Sequence, residues 1–362
     1  MAFNFLFSSC TFCQAPHLLI AACLIASVTK GFRWHLHARV LFHLISGLIL
    51  LFLPQLLHGP MIAGGSFDNL HLTLQRYTAP FHLGFAFFHY KNSLNSHNAI
   101  SAINPVILFS KVLVAAFLLF NKFLTAYLLY EQKARGQRVS QNFLSCSFLV
   151  DGIWLIVEFY FLISSSKRSI SEEIEIMCAR TRCWMDFGYP GFGPQRAFFW
   201  IDATIFFFYS FFQFAFSGLV LNTIIRREIL IVGLHEMYAR EFAVYCLGIA
   251  ICSLAAPIQF ALAQQKQYVE QRILTQFFIF VLNIYTYFGL NIYTPIHIIS
   301  LIISFFHCAL LFMIWQRCCG KEALETKENK GENKEIINNI TNNNTSKVTA
   351  ATVTLRSTKN FK

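Results

Sequence analysis

The sequence predicts an all-α, polytopic transmembrane protein: two parallel four-helix repeats preceded by one extra N-terminal span. Three observations carry that expectation. First, the 362 residues are 56% hydrophobic and 13% charged, with 41 Phe. A soluble domain carries about 25% charged residues, so this chain is too poor in charge to cover itself with water-facing side chains, and its solvent should be largely lipid. Second, apolar stretches recur near the roughly 20 residues that a helix needs to cross the hydrocarbon core. Third, one pattern occurs twice. Leu70-His71, Arg76 and Gly84 are matched, at equal spacing, by Leu234-His235, Arg240 and Gly248. A Ser-Gly-Leu stands upstream of each copy, at Ser46-Gly47-Leu48 and Ser217-Gly218-Leu219.

In chain order, residues 1–39 form an N-terminal hydrophobic segment and a basic loop. No charge precedes Lys30, so the basic n-region of a signal peptide is missing, and 2–28 reads as a poorly hydrophobic first span. The first repeat, 40–163, holds spans at 40–58, 77–98, 105–130 and 142–163. Its weakest member, 77–98, ends in the polar run Lys91–Asn98 and is supported by its more apolar counterpart, 242–263. A connector, 164–196, ends in the turn signals Gly188 to Pro194. The second repeat, 197–317, holds spans at 197–222, 242–263, 273–290 and 296–316, the last two meeting at a turn from Gly289 to Pro295. Four is even, so both repeats enter the membrane from the same side and are parallel rather than inverted. The Asn-rich tail, 318–362, has no core-forming pattern and is expected to be disordered.

Charge gives orientation and excludes some functions. The formal net charge is +11, which reads as positive loops flanking membrane spans rather than a nucleic-acid footprint. Eleven Lys/Arg fall on one side and seven on the other, which places the C-terminus in the cytosol of a plasma-membrane or endomembrane protein. Asn339, Asn343 and Asn344 match the N-glycosylation rule but face the cytosol on this topology. Cys318 and Cys319 follow the last span beside Arg317, a position suited to palmitoylation and equally to two plain cytosolic thiols.

Charges inside spans are expensive and are functional hypotheses by default. Lys111 and Lys122 share one helix face of their span, and Asp151 and Glu158 share one face of the next. The short loop 131–141 makes these spans antiparallel neighbours. At about 1.5 Å rise per residue, Lys122 and Asp151 both lie roughly 12–14 Å from the same surface, and Lys111 and Glu158 roughly 24–28 Å from it. Lys122–Asp151 and Lys111–Glu158 are therefore candidate ion pairs. Two readings stay open: pairs that neutralise themselves and lock helix register, or a polar path for an ion or small molecule. The second repeat offers only Gln276, Asn283, His297 and His307 in its corresponding hairpin, so the shared scaffold does not require these charges.

Asp202 reads as lying at the water boundary, and a buried Asp202 would need a partner that the sequence does not name. His82 and His89 share a face and read as packed histidines. His35 and His37 look interfacial beside Trp34. His71, Arg76, Gly84, His235, Arg240 and Gly248 read as repeat scaffold: the arginines snorkel to lipid phosphate or grip the preceding helix end, and the glycines let helices approach closely. Cys10-x-x-Cys13 has no second pair at zinc-site spacing. His235-Glu236 lacks the second His of a zinc-protease motif, because Ala239 stands there. No nucleophile elbow, P-loop or dinucleotide fingerprint appears, so no catalytic residue, metal or cofactor is assigned.

A mid-span Gly, a polar loop, an Arg and a Gly about two turns later resemble small four-helix membrane modules of the DoxX-like type. The matching residues are Gly47, Arg76 and Gly84, and again Gly218, Arg240 and Gly248. The resemblance covers the first half of each repeat and implies a four-helix module, with no substrate. The functional expectation is a multi-pass transporter or channel-like protein with its polar path in the first repeat. The alternative is a non-catalytic membrane scaffold or assembly partner whose charges form structural pairs. The expected partners are the lipid bilayer, a small molecule or ion, and a membrane protein.

Overall fold

The computed structural model describes residues 22–58, 68–95, 105–130, 141–165, 194–260 and 262–320, with single positions at 172, 175 and 179. Residues Met1–Trp315 form one compact unit; of the second unit, Gln316–Lys362, the described part is the end of the last helix. The expectations for 2–21, most of the connector 164–196, and the tail beyond 320 fall outside the described residues.

The described residues are helical throughout: α1 (22–30), α2 (Phe32–Phe52), α3 (Pro54–His58), α4 (Asn69–Arg76), α5 (Ala79–Asn95), α6 (Pro105–Tyr130), α7 (Gln141–Ser165), α8 (Pro194–Ala215), α9 (Ser217–Ile224), α10 (Gly233–Gln259), α11 (Leu262–Ile284) and α12 (His297–Gly320). Proline sets two of the breaks, since it lacks an N–H and its ring clashes with the carbonyl four residues back. Pro54 ends α2, and Pro80 forces the turn Tyr77–Thr78 that separates α4 from α5. The residue 164 positions on from Pro80 is Val244, and there α10 runs unbroken.

Five helix pairs carry the packing. α2 lies along α5, α8 along α10, α6 against both α7 and α10, and α11 against α5. Glycines set the closest approaches. A Cβ at Gly84 on α5 would sit 2.2 Å from Thr275 Oγ1 on α11. A Cβ at Gly248 on α10 would sit 2.6 Å from Val114 Cγ2 on α6. One at Gly47 would sit 2.8 Å from the Leu83 side chain, across the α2–α5 contact. Gly84 thus receives α11 and Gly248 receives α6.

The helix bounds correct the sequence reading in two places. α2 begins at Phe32 rather than 40, which brings His35 and Arg39 inside it. α11 begins at Leu262 rather than 273, which brings Arg272 inside it. Windowed hydropathy misses both stretches because their polar side chains are partnered by other helices. After α11 the chain makes a π turn, Tyr285–Gly289, and passes through Asn291 at φ 55°. A single antiparallel bridge, Ile225 to Tyr293, ties this loop to the end of α9.

Among the described residues, five helical stretches are long and apolar enough to cross a membrane: Trp34–Phe52, Val106–Leu128, Arg196–Ala215, Gly233–Pro257 and His297–Gly320. The polarity of the molecule runs opposite to that of a water-soluble protein. Phe207, Phe208, Phe211 and Phe212 on α8, and Phe305 and Phe306 on α12, are exposed, whereas Arg39, Lys111, Glu158, Asp202 and Arg272 are buried.

Candidate functional site

The first half builds its polar interior from a stripe on α2. His35, Arg39 and His43 stand four residues apart, which puts them on one helix face, and all three are buried. His82 and His89 present one face of α5 to that stripe. His35 Nδ1 lies 2.8 Å from Ser27 Oγ, and its ring stacks on Phe161 at 4.0 Å. It is therefore a core residue, where the sequence suggested an interface. Arg39 forms an ion pair with Glu158, whose other oxygen accepts from Trp154 Nε1 at 2.9 Å. This corrects the expected Lys111–Glu158 pair. Matching depth along two helices leaves their rotation open, and α2 supplies a better cation.

Lys111 instead meets His89 Nε2. From there a chain of buried titratable groups continues. The His89 and His43 rings stack at 5.9 Å, His43 Nδ1 lies 3.1 Å from His82 Nδ1, and His82 Nε2 lies 2.9 Å from Tyr245 Oη on α10. Two nitrogens can share one hydrogen bond only if one donates and the other accepts. The His43–His82–Tyr245 segment therefore has two consistent proton arrangements, one with the hydrogen on His82 Nδ1 and the other with it on His43 Nδ1. Converting one arrangement into the other carries one proton through the segment: one enters at Tyr245 Oη and one leaves from His43 Nε2.

Two further buried acids, Asp151 and Asp202, have cations of their own. Lys122 Nζ lies 2.5 Å from Asp151 Oδ2, both buried. In the second half Asp202 is buried rather than at a boundary, and Arg272, His307 and Ser253 are its partners. Arg272 Nη2 donates to Oδ1 at 2.9 Å and Arg272 Nε to Oδ2 at 3.3 Å. His307 Nε2 lies 2.6 Å from Oδ1, and Ser253 donates to Oδ2. The guanidinium stacks over Phe206 at 4.2 Å. Arg272 escaped the sequence reading because it was counted in a loop.

The repeated residues meet one another. The His71 and His235 rings lie 3.7 Å apart, and Phe81 stacks on Tyr245, also 164 positions on, at 5.6 Å. Asp68 caps α4 by accepting from His71 N at 2.8 Å. The same oxygen lies 2.8 Å from His71 Nδ1 and 3.2 Å from His235 Nε2. Partial burial pushes the Asp68 carboxyl up, but the hydrogen bonds from His235 and His71 outweigh it and hold it well below the usual carboxylate range.

Two histidines and a carboxylate with ligand atoms within 4.8 Å of one another have the composition of a metal site. The hydrogen bonding does not fit one. His235 Nδ1 accepts from Val232 N at 3.1 Å, which leaves the hydrogen of the neutral ring on Nε2, the atom that would have to ligate. The trio is instead two N–H groups converging on one carboxylate oxygen. Of the repeated arginines, Arg76 Nε donates to Leu51 O at 3.2 Å, on the last turn of α2, where a cation suits the helix dipole. Arg240 pairs with Glu236 at 2.7 Å, and Ser217 Oγ donates to the same carboxylate at 3.2 Å. Cys318 and Cys319 lie on the last turn of α12.

No curated protein and no solved structure matches the chain. The chain belongs to the DUF8292 family, a domain of unknown function, whose model matches residues 36–315.

Proposed function

We propose that this DUF8292 member is an integral membrane protein of two parallel four-helix halves, and that its working part is a proton path along Lys111, His89, His43, His82 and Tyr245. Membrane insertion is supported by the reversed polarity: outward Phe faces are a liability in water, and buried charges facing the bundle interior are what a bilayer imposes. The tandem repeat is supported by contacts between equivalent residues. In a two-fold arrangement, residues on the axis touch their own counterparts, as His71 does with His235 and Phe81 with Tyr245. The reciprocal seats of Gly84 and Gly248 fit the same relation, and two DoxX-like modules fused in tandem would have it. On this reading the C-terminus is cytosolic, the membrane is the plasma membrane or an endomembrane, and Cys318 and Cys319 are placed for palmitoylation.

The observation that carries the transport reading is the run of buried titratable groups from α6 through α5 and α2 to α10, hydrogen-bonded at every step except the stacked His89–His43 contact. It replaces the path expected at Asp151 and Glu158, whose charges are already neutralised by Lys122 and Arg39. The test is proton flux into liposomes holding the purified full chain and a trapped pH-sensitive dye. Wild type should pass protons along an imposed gradient. His82→Phe and Lys111→Met should each lower the rate at least about tenfold, with helicity unchanged. A wild-type rate no higher than that of empty liposomes would overturn it.

One observation favours the scaffold reading: Arg39–Glu158, Lys122–Asp151 and Arg272–Asp202 each close on themselves, as structural pairs do. That reading expects no flux, and co-purification of a membrane protein partner that the Phe-rich face of α8 holds.

A further inference from the structure

The second half contains a cavity of about 100 Å³. It lies between α8, α10, α11 and α12 and is completed by Leu74 and Tyr77 from the first half. For scale, an engineered apolar cavity of ~150 Å³ takes up benzene, so this one has room for a polar head and a few carbons. Most of its wall is apolar, with Ile224, Phe242 and Ile279 among the lining residues.

Two buried acceptors belong to residues lining this cavity. His297 Nε2 lies 3.2 Å from Asn283 Oδ1. That oxygen also accepts from Tyr77 Oη at 2.6 Å, and Asn283 Nδ2 donates to Ser304 Oγ at 3.1 Å. Asn283 Oδ1 can only accept, so the neutral His297 ring carries its hydrogen on Nε2 and turns a lone pair outward on Nδ1. His297 Nδ1 and Gln276 Oε1 are both buried and have no hydrogen-bond partner among the described residues. A buried acceptor left unmatched keeps its desolvation cost with no bond to offset it, and two on residues of one cavity mark a place where a donor is missing.

Charge narrows the class. The nearest carboxylate, Asp202, is saturated by Arg272, His307 and Ser253, so it offers a cation nothing. Arg272 pairs with Asp202 and is not among the residues lining the cavity, and no other Arg or Lys lines it, so an anion there meets no cation. We infer that the cavity binds a neutral molecule with a short apolar body and a head that donates two hydrogen bonds, a vicinal diol being the simplest. The donors go to Gln276 Oε1 and His297 Nδ1, and the body lies against Ile279 and Phe242. This site is independent of the histidine chain and stands if that path carries no protons.

The test uses the full chain in detergent micelles and a six-carbon 1,2-diol carrying a photoactivatable diazirine. After irradiation, mass spectrometry should find label on the cavity wall. The dimethyl ether of the same probe keeps the shape and loses both donors, and it should label the wall at least about tenfold less. Gln276→Leu should lower diol labelling similarly while its unfolding midpoint stays level or rises, because it removes an unmatched acceptor. If that variant fails to fold, Ile279→Phe narrows the cavity with both acceptors intact and should also lose label. Equal wall labelling by diol and ether, or diol label only on outward Phe residues of α8 and α12, overturns the proposal. Competition separates two sources of the diol. Blocking by a short-chain monoacylglycerol alone names a lipid, and blocking by unlabelled 1,2-hexanediol alone names a soluble metabolite. Blocking by neither overturns the site.

Discussion

The two halves of the chain, α2–α7 and α8–α12, fill their interiors differently. In the first half, α2 carries the cation: Arg39 reaches the acid Glu158 on α7, and the space left beside α5 and α6 is occupied by His43, His82, His89 and Lys111. In the second half, α8 carries the anion: Asp202 draws Arg272 from α11 and His307 from α12, and an apolar cavity fills the neighbouring space. Each half thus buries one Arg–carboxylate pair with the polarity reversed. The difference separates what the packing requires from what it merely permits. Packing requires that each buried carboxylate here be neutralised, as Lys122 also does for Asp151. It does not require three histidines and a lysine in one half or a cavity with two unmatched acceptors in the other, and those are the features to suspect of function.

Removing the arginines tests that comparison with the largest effects. Stripping one partner from a buried pair leaves an uncompensated charge and costs ~3–5 kcal/mol. Arg39→Met should fall at the upper end, because Glu158 keeps only the Trp154 indole N–H. Arg272→Met should fall at the lower end, because Asp202 keeps His307 and Ser253. Denaturant unfolding of the purified chain in micelles reads both. Arg39→Met combined with Glu158→Leu should recover most of the loss. Equal losses in the two halves would show that the residual donors around Asp202 contribute nothing.

The next effects in size come from the glycines that seat the opposite half. Gly84→Ala drives a methyl into Thr275, and Gly248→Ala drives one into Val114. Overpacking of this kind costs about 1–3 kcal/mol. Gly84→Ala should be the worse of the two. Thr275 is buried and its hydroxyl donates to Pro80 O at 3.3 Å, so it has less freedom to move than a valine methyl. Thermal unfolding midpoints of the two variants check the order. If neither substitution matters, the halves are not held together through these two seats.

How far the sequence could be read depends on which coordinate a feature needs. Helix order follows from apolar length: the eight expected main spans overlap helices, 40–58 and 197–222 being broken at Leu53 and Phe216, and five of the described helices are long and apolar enough to cross a membrane. The meeting of His71 with His235 is implicit in a repeated pattern, once one allows that equivalent residues can face each other across an axis. The same depth arithmetic that levels Lys122 with Asp151 also levels Lys111 with Glu158. The structure has an ion pair at the first and not at the second, because depth says nothing about rotation and a third helix supplied Arg39. The stripe His35, Arg39, His43 was visible as a four-residue repeat and was lost only because hydropathy began the span at 40. Arg272 was hidden for the same reason. A buried arginine looks like a loop arginine until its carboxylate is known.

The smallest expected effect lies at the seam, where the halves touch through Asp68, His71 and His235. Hydrogen bonds hold the Asp68 carboxyl below its ordinary range, so its contribution has a definite sign with pH. A carboxylate depressed on folding adds stability at every pH above its unfolded value of about 3.9, and that stability is lost as pH falls from there towards the folded value. Wild type should therefore show no Asp68-dependent change between neutral pH and about 5, and a decline below about 4. Asp68→Asn cannot ionise. It should start lower at neutral pH, because it accepts more weakly from the two imidazoles and from the α4 N-terminus. It should then converge on wild type as the medium is acidified. The quantity to plot is the difference between the two unfolding midpoints against pH, which cancels the titration of every other acid in the chain. A constant difference down to pH 3 would mean that the contact is steric and the charge at Asp68 plays no part in joining the halves.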